Sequence, residues 1–186
     1  MSVQLVHHRF TVDDYHAMAA AGALKPDDRV ELIDGEILDM TPIGSRHAAA
    51  VDILNRWLVI GCGSRAIIRV QGPLRLDLHS EPEPDLLALV PRDDFYRDKP
   101  PAASDVLLLI EVADSSLSYD RRVKLPLYAR AAVREAWLVD LVRNEVEVRR
   151  EPGPDGFAQV EHCGRGTALS PAAFPNLSLA IGDLLG

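Results

Sequence analysis

The stretch Val106-Leu-Leu-Leu-Ile-Glu-Val112 constrains the fold more than any other part of the chain. Its first five residues are apolar without alternation, which marks a strand covered on both faces. Such a strand belongs at the centre of a sheet with helices on its two sides, so a mixed α/β fold with a central sheet flanked by helices is expected. The run is far shorter than the roughly 20 residues that cross a bilayer. No charged-then-apolar leader opens the sequence, so a cytoplasmic location without membrane association is expected. The 186 residues are 47% hydrophobic and 26% charged, a composition that suits one soluble domain. That domain is expected over residues 1–186, with 151–186 as a turn-rich C-terminal extension. Cys62 and Cys163, the two cysteines, are too few for a disulfide framework and lack metal-ligand spacing.

Local signals place the other elements. Thr11 can cap a helix whose first turn carries Asp13 and Asp14 at the positive end of the dipole, and that helix runs to Gly22. Asp34-Gly35 sits between two apolar stretches and predicts a hairpin over 29–40. Ala48, Val51, Leu54 and Leu58 share one face of a helix over 45–58, which Gly61 and Gly63 end. Strands are expected over 66–70, 73–78 and 85–90, then an exposed loop over 91–104. The central strand leads through a polar loop into a helix over 120–132. Residues 135–140 and 145–149 form a pair around Arg143-Asn144, and short strands are expected near 157–161 and 177–181.

The net charge of -8 argues against a broad basic face that coats nucleic acid, although a small basic groove on an acidic body is compatible with it. Lysine occurs only at positions 25, 99 and 124. Glu111 interrupts the most apolar strand, where a carboxylate is costly to ionise unless a metal ion or cation offsets it. Position alone also fits a strand end emerging into water. Asp85, after Pro84, opens another apolar strand; taken alone it reads first as a solvated acid beside Glu81 and Glu83. Two carboxylates at the ends of adjacent strands can share a hard divalent cation. Asp120, Lys124 and Tyr128 recur at i, i+4 and i+8 and lie along one helix face, while Val123, Leu127 and Ala131 lie on another that would pack on the sheet. Lys124 could then point toward Asp85 and Glu111, or simply pair with Asp120 on the surface. Glu31 shares a strand face with Arg29 and Ile33, and His47 falls early in the second helix. No glycine-rich phosphate loop is present.

Together these residues resemble the PD-(D/E)XK nuclease superfamily, most closely its restriction-endonuclease-like branch, the Uma-two family. The resemblance spans about Phe10 to Arg150. It rests on Val30-Glu-Leu-Ile-Asp-Gly-Glu-Ile37, Pro84-Asp85-Leu86, Ile110-Glu111-Val112, Tyr119-Asp-Arg-Arg-Val-Lys-Leu-Pro-Leu-Tyr128-Ala-Arg130 and Glu135-Ala-Trp-Leu-Val-Asp140, in that order. It implies an α/β restriction-endonuclease-like mixed central sheet flanked by helices. It also implies that Asp85 and Glu111 are metal ligands and catalytic acids, that the Val112 carbonyl is a third ligand, and that Glu31 completes the metal site. His47 and Tyr128 match accessory positions. Ala113 stands where the superfamily motif has lysine, and Lys124 fits a lysine moved to the neighbouring helix.

The activity so implied is Mg²⁺- or Mn²⁺-dependent hydrolysis of phosphodiester bonds in nucleic acid, DNA in the first instance, with Lys124 orienting or deprotonating the attacking water. Arg121, Arg122, Arg130 and Arg134 are candidates for backbone contacts, and nucleases of this fold often act as homodimers. The alternative is a catalytically inactive nuclease-fold module for binding or assembly, which the missing motif lysine and the net charge favour. Retention of Asp85, Glu111 and Lys124 together disfavours it.

Overall fold

The apolar run forms the middle of a six-stranded sheet, and the alternation along it decides what covers each side. The computed structural model describes residues 7–25 and 27–185. The N-terminal elements are α1 (Val12–Ala20), β1 (Val30–Ile33), β2 (Glu36–Asp39) and α2 (Ser45–Cys62). The strands β3 (Ile67–Val70), β4 (Leu86–Leu89) and β5 (Val106–Ala113) follow. Then come α3 (Leu117–Tyr119), a π-helical turn (Asp120–Lys124) and α4 (Leu125–Arg130). The chain continues as β6 (Glu135–Asp140), β7 (Glu145–Gly153) and β8 (Gly156–Gly164), and ends in β9 (Ala168–Leu169), β10 (Leu179–Ala180) and α5 (Ile181–Leu185).

The sheet order is β3-β4-β5-β6-β7-β8. All neighbours are antiparallel except β5 and β6, which run parallel. From β5, Leu108, Ile110 and Val112 enter one core with Ala50, Val51, Leu54 and Leu58 of α2 and with Trp137. Leu109 and Ala113 enter a second core with Leu125 and Tyr128 of α4. Glu111 lies between them in sequence, so strand periodicity turns it to the α4 side. The helices on both faces and the mixed central sheet match the fold expected from the residues. Among the described residues no helix is long and apolar enough to cross a membrane.

Five local expectations are revised. Residues 73–78 make no strand beyond a single bridge from Arg75 to Ala102. Their amides instead close on the same loop, Leu74 N–H to the Pro82 carbonyl (2.9 Å) and Leu76 N–H to that of Ser80 (3.0 Å). The helix expected over 120–132 begins at Leu117 and ends at Arg130, with the π turn inside it. Its buried stripe is also different: Asp120, Lys124 and Tyr128 are buried, as is Leu127, whereas Val123 and Ala131 are only half-buried. Glu111 is the reason, since it offers a polar partner under the helix. The tail is less turn-rich than expected, because β7 extends through Gly153 and β8 completes the main sheet. Only Leu179–Ala180 of the last expected strand pairs, and α5 follows at once.

The β1–β2 hairpin stands apart from the main sheet and pairs through the Leu32–Glu81 bridge with the loop between β3 and β4. Its turn has positive φ at Asp34 (49°) and Gly35 (83°), the pattern of a tight two-residue hairpin. A Cβ on Gly35 would lie 2.6 Å from Arg9 Cβ and 2.9 Å from Arg9 Cα. Gly35→Ala is therefore expected to cost about 1–3 kcal/mol, from strain and from the displaced N-terminal segment. Urea denaturation reads this directly, and a variant as stable as wild type would show that the segment shifts freely.

Candidate functional site

The start of β4, the end of β5, the hairpin and the π turn meet at an open cleft of about 560 Å³. Glu31, His47, Asp85, Glu111, Val112 and Lys124 all line it. Tyr128 lies beneath and donates to Glu111 Oε1 at 2.5 Å. The structure thus brings together every site residue expected from the sequence, although they come from five separate segments.

Lys124 Nζ is held between two carboxylates, 3.1 Å from Glu31 Oε2 and 3.2 Å from Glu111 Oε1. All three are nearly inaccessible: Glu31 is 4%, Glu111 2% and Lys124 5% exposed. Burial works against the Lys124 charge, but Glu111, Glu31 and Asp120 outweigh it and hold the ammonium above its ordinary range. Burial pushes Glu111 up to about 8, even though Lys124 opposes the shift. Asp85 and Asp120 add to it by repulsion. Asp120, which accepts from Ser116 Oγ at 2.5 Å, is itself pushed up to about 6 by burial. Tyr128 rises well above the usual phenol range because it is buried and faces Glu111.

Asp85 is arranged to stay ionised. Its Oδ2 accepts from the Val112 N–H at 2.8 Å and lies 3.1 Å from His47 Nε2, and its Oδ1 accepts from Gln71 Nε2 at 3.3 Å. Burial raises its pKa, but these donors, His47 first, leave it below the ordinary carboxylate value. The hydrogen bond to Asp85 raises His47 in turn. His47 Nδ1 is buried with no partner among the described residues.

The backbone completes the arrangement. The Ala113 carbonyl accepts from the Leu141 N–H, on the β6 side. Successive residues of a strand face opposite neighbours, and the N–H and C=O of one residue face the same way. The Val112 carbonyl therefore projects with its N–H toward Asp85. Asp85, Glu111 and this carbonyl form an all-oxygen donor set, which fits a hard divalent cation. The excess of buried acids over the Lys124 charge is a second reason the set suits one.

Glu31 is otherwise engaged. It accepts from Lys124, from Tyr119 Oη (3.4 Å) and from the Glu83 N–H (3.2 Å). Among the described residues the one group of three His, Cys, Asp or Glu ligand atoms within 4.8 Å of one another is Glu145, Glu147 and His162. That group lies on β7 and β8, not in the cleft, and its buried member Glu147 is already ion-paired to Arg121 and Arg149. Arg121 is thereby occupied, and Arg130 pairs with Asp34 at 3.3 Å. Arg122 and Arg134 remain exposed.

Sequence reasoning passed over Asp120 as a site residue, although its spacing from Lys124 was the available signal. Gln71, Tyr119 and Ser116 carried none, because their contacts arise only through strand pairing and the loop after β5.

A search of curated proteins finds no match. Among solved structures, a protein from Anabaena variabilis described as a "putative nuclease belonging to DUF820" superposes with a TM-score of 0.73 at 17% identity. The match covers 95% of this chain and 97% of that one, and at this identity the likeness speaks for the fold. The Uma2 family model, described as "Putative restriction endonuclease", matches residues 12–182. With that match across nearly all of the sequence, the chain belongs to the Uma2 family.

Proposed function

We propose that the protein is a metal-dependent nuclease that hydrolyses phosphodiester bonds, with DNA the expected substrate. The observation that carries this reading is the buried pair of Asp85 and Glu111 at neighbouring strand ends, with Lys124 salt-bridged to Glu111. Asp85, Glu111 and the Val112 carbonyl would hold one Mg²⁺ or Mn²⁺. When bound, such an ion activates water and stabilises negative charge on the phosphate.

The chain's own groups supply the rest. Lys124 neutralises charge at the reacting phosphate and orients the attacking water. Glu31, expected from the resemblance to share the metal, is assigned here to holding the Lys124 ammonium in place. His47 keeps Asp85 ionised and aimed into the cleft. Tyr128 fixes the Glu111 carboxylate, so that one oxygen stays on Lys124. The burial of these groups keeps bulk water from screening their charges.

Titration calorimetry with Mn²⁺ tests the metal site. Wild type is expected to bind, and the double variant Asp85→Asn, Glu111→Gln to lose the heat entirely. Because Glu111 titrates near pH 8 without metal, binding at pH 7 should release about one proton. The observed enthalpy should then follow the ionisation enthalpy of the buffer. Wild type that binds no metal, even with an oligonucleotide present, would favour the non-catalytic module instead.

A further inference from the structure

We infer that the cleft accepts a single nucleic-acid strand and rejects an intact duplex, an inference that rests on the phosphodiesterase reading above. Four observations converge on it.

The reacting groups are recessed. Glu111, Lys124 and Asp85 lie at the floor of the cleft, so the scissile phosphate must descend between its walls. Duplex DNA stays straight over about 150 base pairs and presents its phosphates on a convex surface. A single strand bends at every sugar and can lower one phosphate into a recess.

The cleft lining is acidic where a duplex would press on it. Asp39, the last residue of β2, and Asp114, just after β5, both line the cleft. Arg46 lies 3.8 Å from Asp114 and offsets it in part; Asp39 has no such partner among the described residues. Phosphates flanking the reaction centre would meet these charges on a rigid duplex, whereas a flexible strand can turn them away.

The cation supply fits one phosphate. Lys124, held by Glu31 and Glu111, serves the reacting phosphate and none of the flanking ones. Arg29 precedes β1 by one residue, is two residues from Glu31 and so shares its strand face. It is exposed, lines the cleft, and has no carboxylate within salt-bridge distance among the described residues. A duplex binder makes about 6–10 phosphate contacts, and Arg29 supplies one.

Beside Arg29 the lining also holds an apolar patch. Met40, Pro42 and Ile43 form it, and Ile43 is exposed. Unpaired bases offer their faces to such a surface, whereas in a duplex those faces are stacked and hidden.

The test is fluorescence anisotropy with end-labelled single-stranded DNA and RNA and with a blunt duplex of the same sequence, Ca²⁺ replacing Mg²⁺ to hold the complex. Single strands are expected to bind about tenfold or more tighter than duplex, with a log–log salt slope of about −1 or shallower. Arg29→Ala should weaken single-strand binding about fivefold or more without moving the melting temperature, since it removes a phosphate contact and no internal pair. Asp39→Lys with Asp114→Lys should raise duplex affinity more than single-strand affinity. Duplex binding equal to or tighter than single-strand binding overturns the inference. A parallel cleavage assay with Mn²⁺ separates the two levels. Equal cleavage of duplex and single strand rejects the strand preference and keeps the nuclease, whereas neither bound nor cleaved rejects both.

Discussion

Glu111→Gln is expected to abolish phosphodiester cleavage, by about a thousandfold or more in single-turnover rate, and to leave the fold intact. The amide keeps the shape of the carboxylate and can still accept from Tyr128, so both cores around β5 remain filled. It removes one of the two carboxylate metal ligands and the charge that anchors Lys124. The same variant changes the pH dependence of the metal-free protein in a defined direction. Glu111 has a folded pKa of about 8 against an ordinary value of 4.5. Between those values the folded protein holds a proton that the unfolded chain has released, so stability falls as pH rises from about 5 to 8. Asp120, raised to about 6, adds to the fall in the lower part of that window. The Lys124 ammonium stays charged throughout and contributes no slope there. The total drop for wild type is on the order of a few kcal/mol, and most of it should vanish in Glu111→Gln. Thermal melts in EDTA at pH 5 and pH 8 measure it. A wild-type curve that rises or stays flat across this window would show that Glu111 is ionised in the metal-free fold.

Lys124→Met should be the most destabilising single change at the site. It removes the one cation beside two buried acids and leaves the Glu31 carboxylate without its ion-pair partner, at a cost of about 3–5 kcal/mol. Methionine fills much of the same volume, so the loss reports charge rather than a cavity. Adding Glu31→Gln to Lys124→Met should restore part of the stability, because the orphaned charge is then gone, but it should not restore cleavage. Denaturant unfolding of the two single variants and the double variant gives the coupling energy. If Lys124→Met matches wild type in stability and cleaves at the wild-type rate, the lysine belongs neither to the site nor to its support.

The value of the tertiary structure is clearest at the helix after β5. Its four-residue spacing, taken alone, turns Val123, Leu127 and Ala131 to the sheet, yet only Leu127 is fully buried. Apolar periodicity fails because the sheet beneath is not uniformly apolar. Glu111 pairs with Lys124 and Tyr128, and the π turn brings Asp120 inward with them. The segment over 73–78 is a second case. Its alternating leucines read as a strand, but Pro73 lacks a donor and the amides of Leu74 and Leu76 close on residues 80–82. Local pattern cannot distinguish a ladder from a loop that satisfies its own backbone.

The sequence by itself determined the central strand, the flanking helices, the Asp34-Gly35 hairpin and the candidates Glu31, His47, Asp85, Glu111 and Lys124 that line the cleft. Each follows from short-range physics: unbroken apolar runs, helical periodicity, capping and positive-φ turns, together with a family resemblance written in five short motifs. Only the tertiary structure decided how those residues act on one another. Whether Glu31 pairs with Lys124, whether Arg121 is free or bound to Glu147, and whether Arg29 is unpaired all depend on contacts between segments far apart in the chain. Charge interactions act through space and change with burial, so a carboxylate's role is set by the partners that packing delivers to it rather than by its neighbours in sequence.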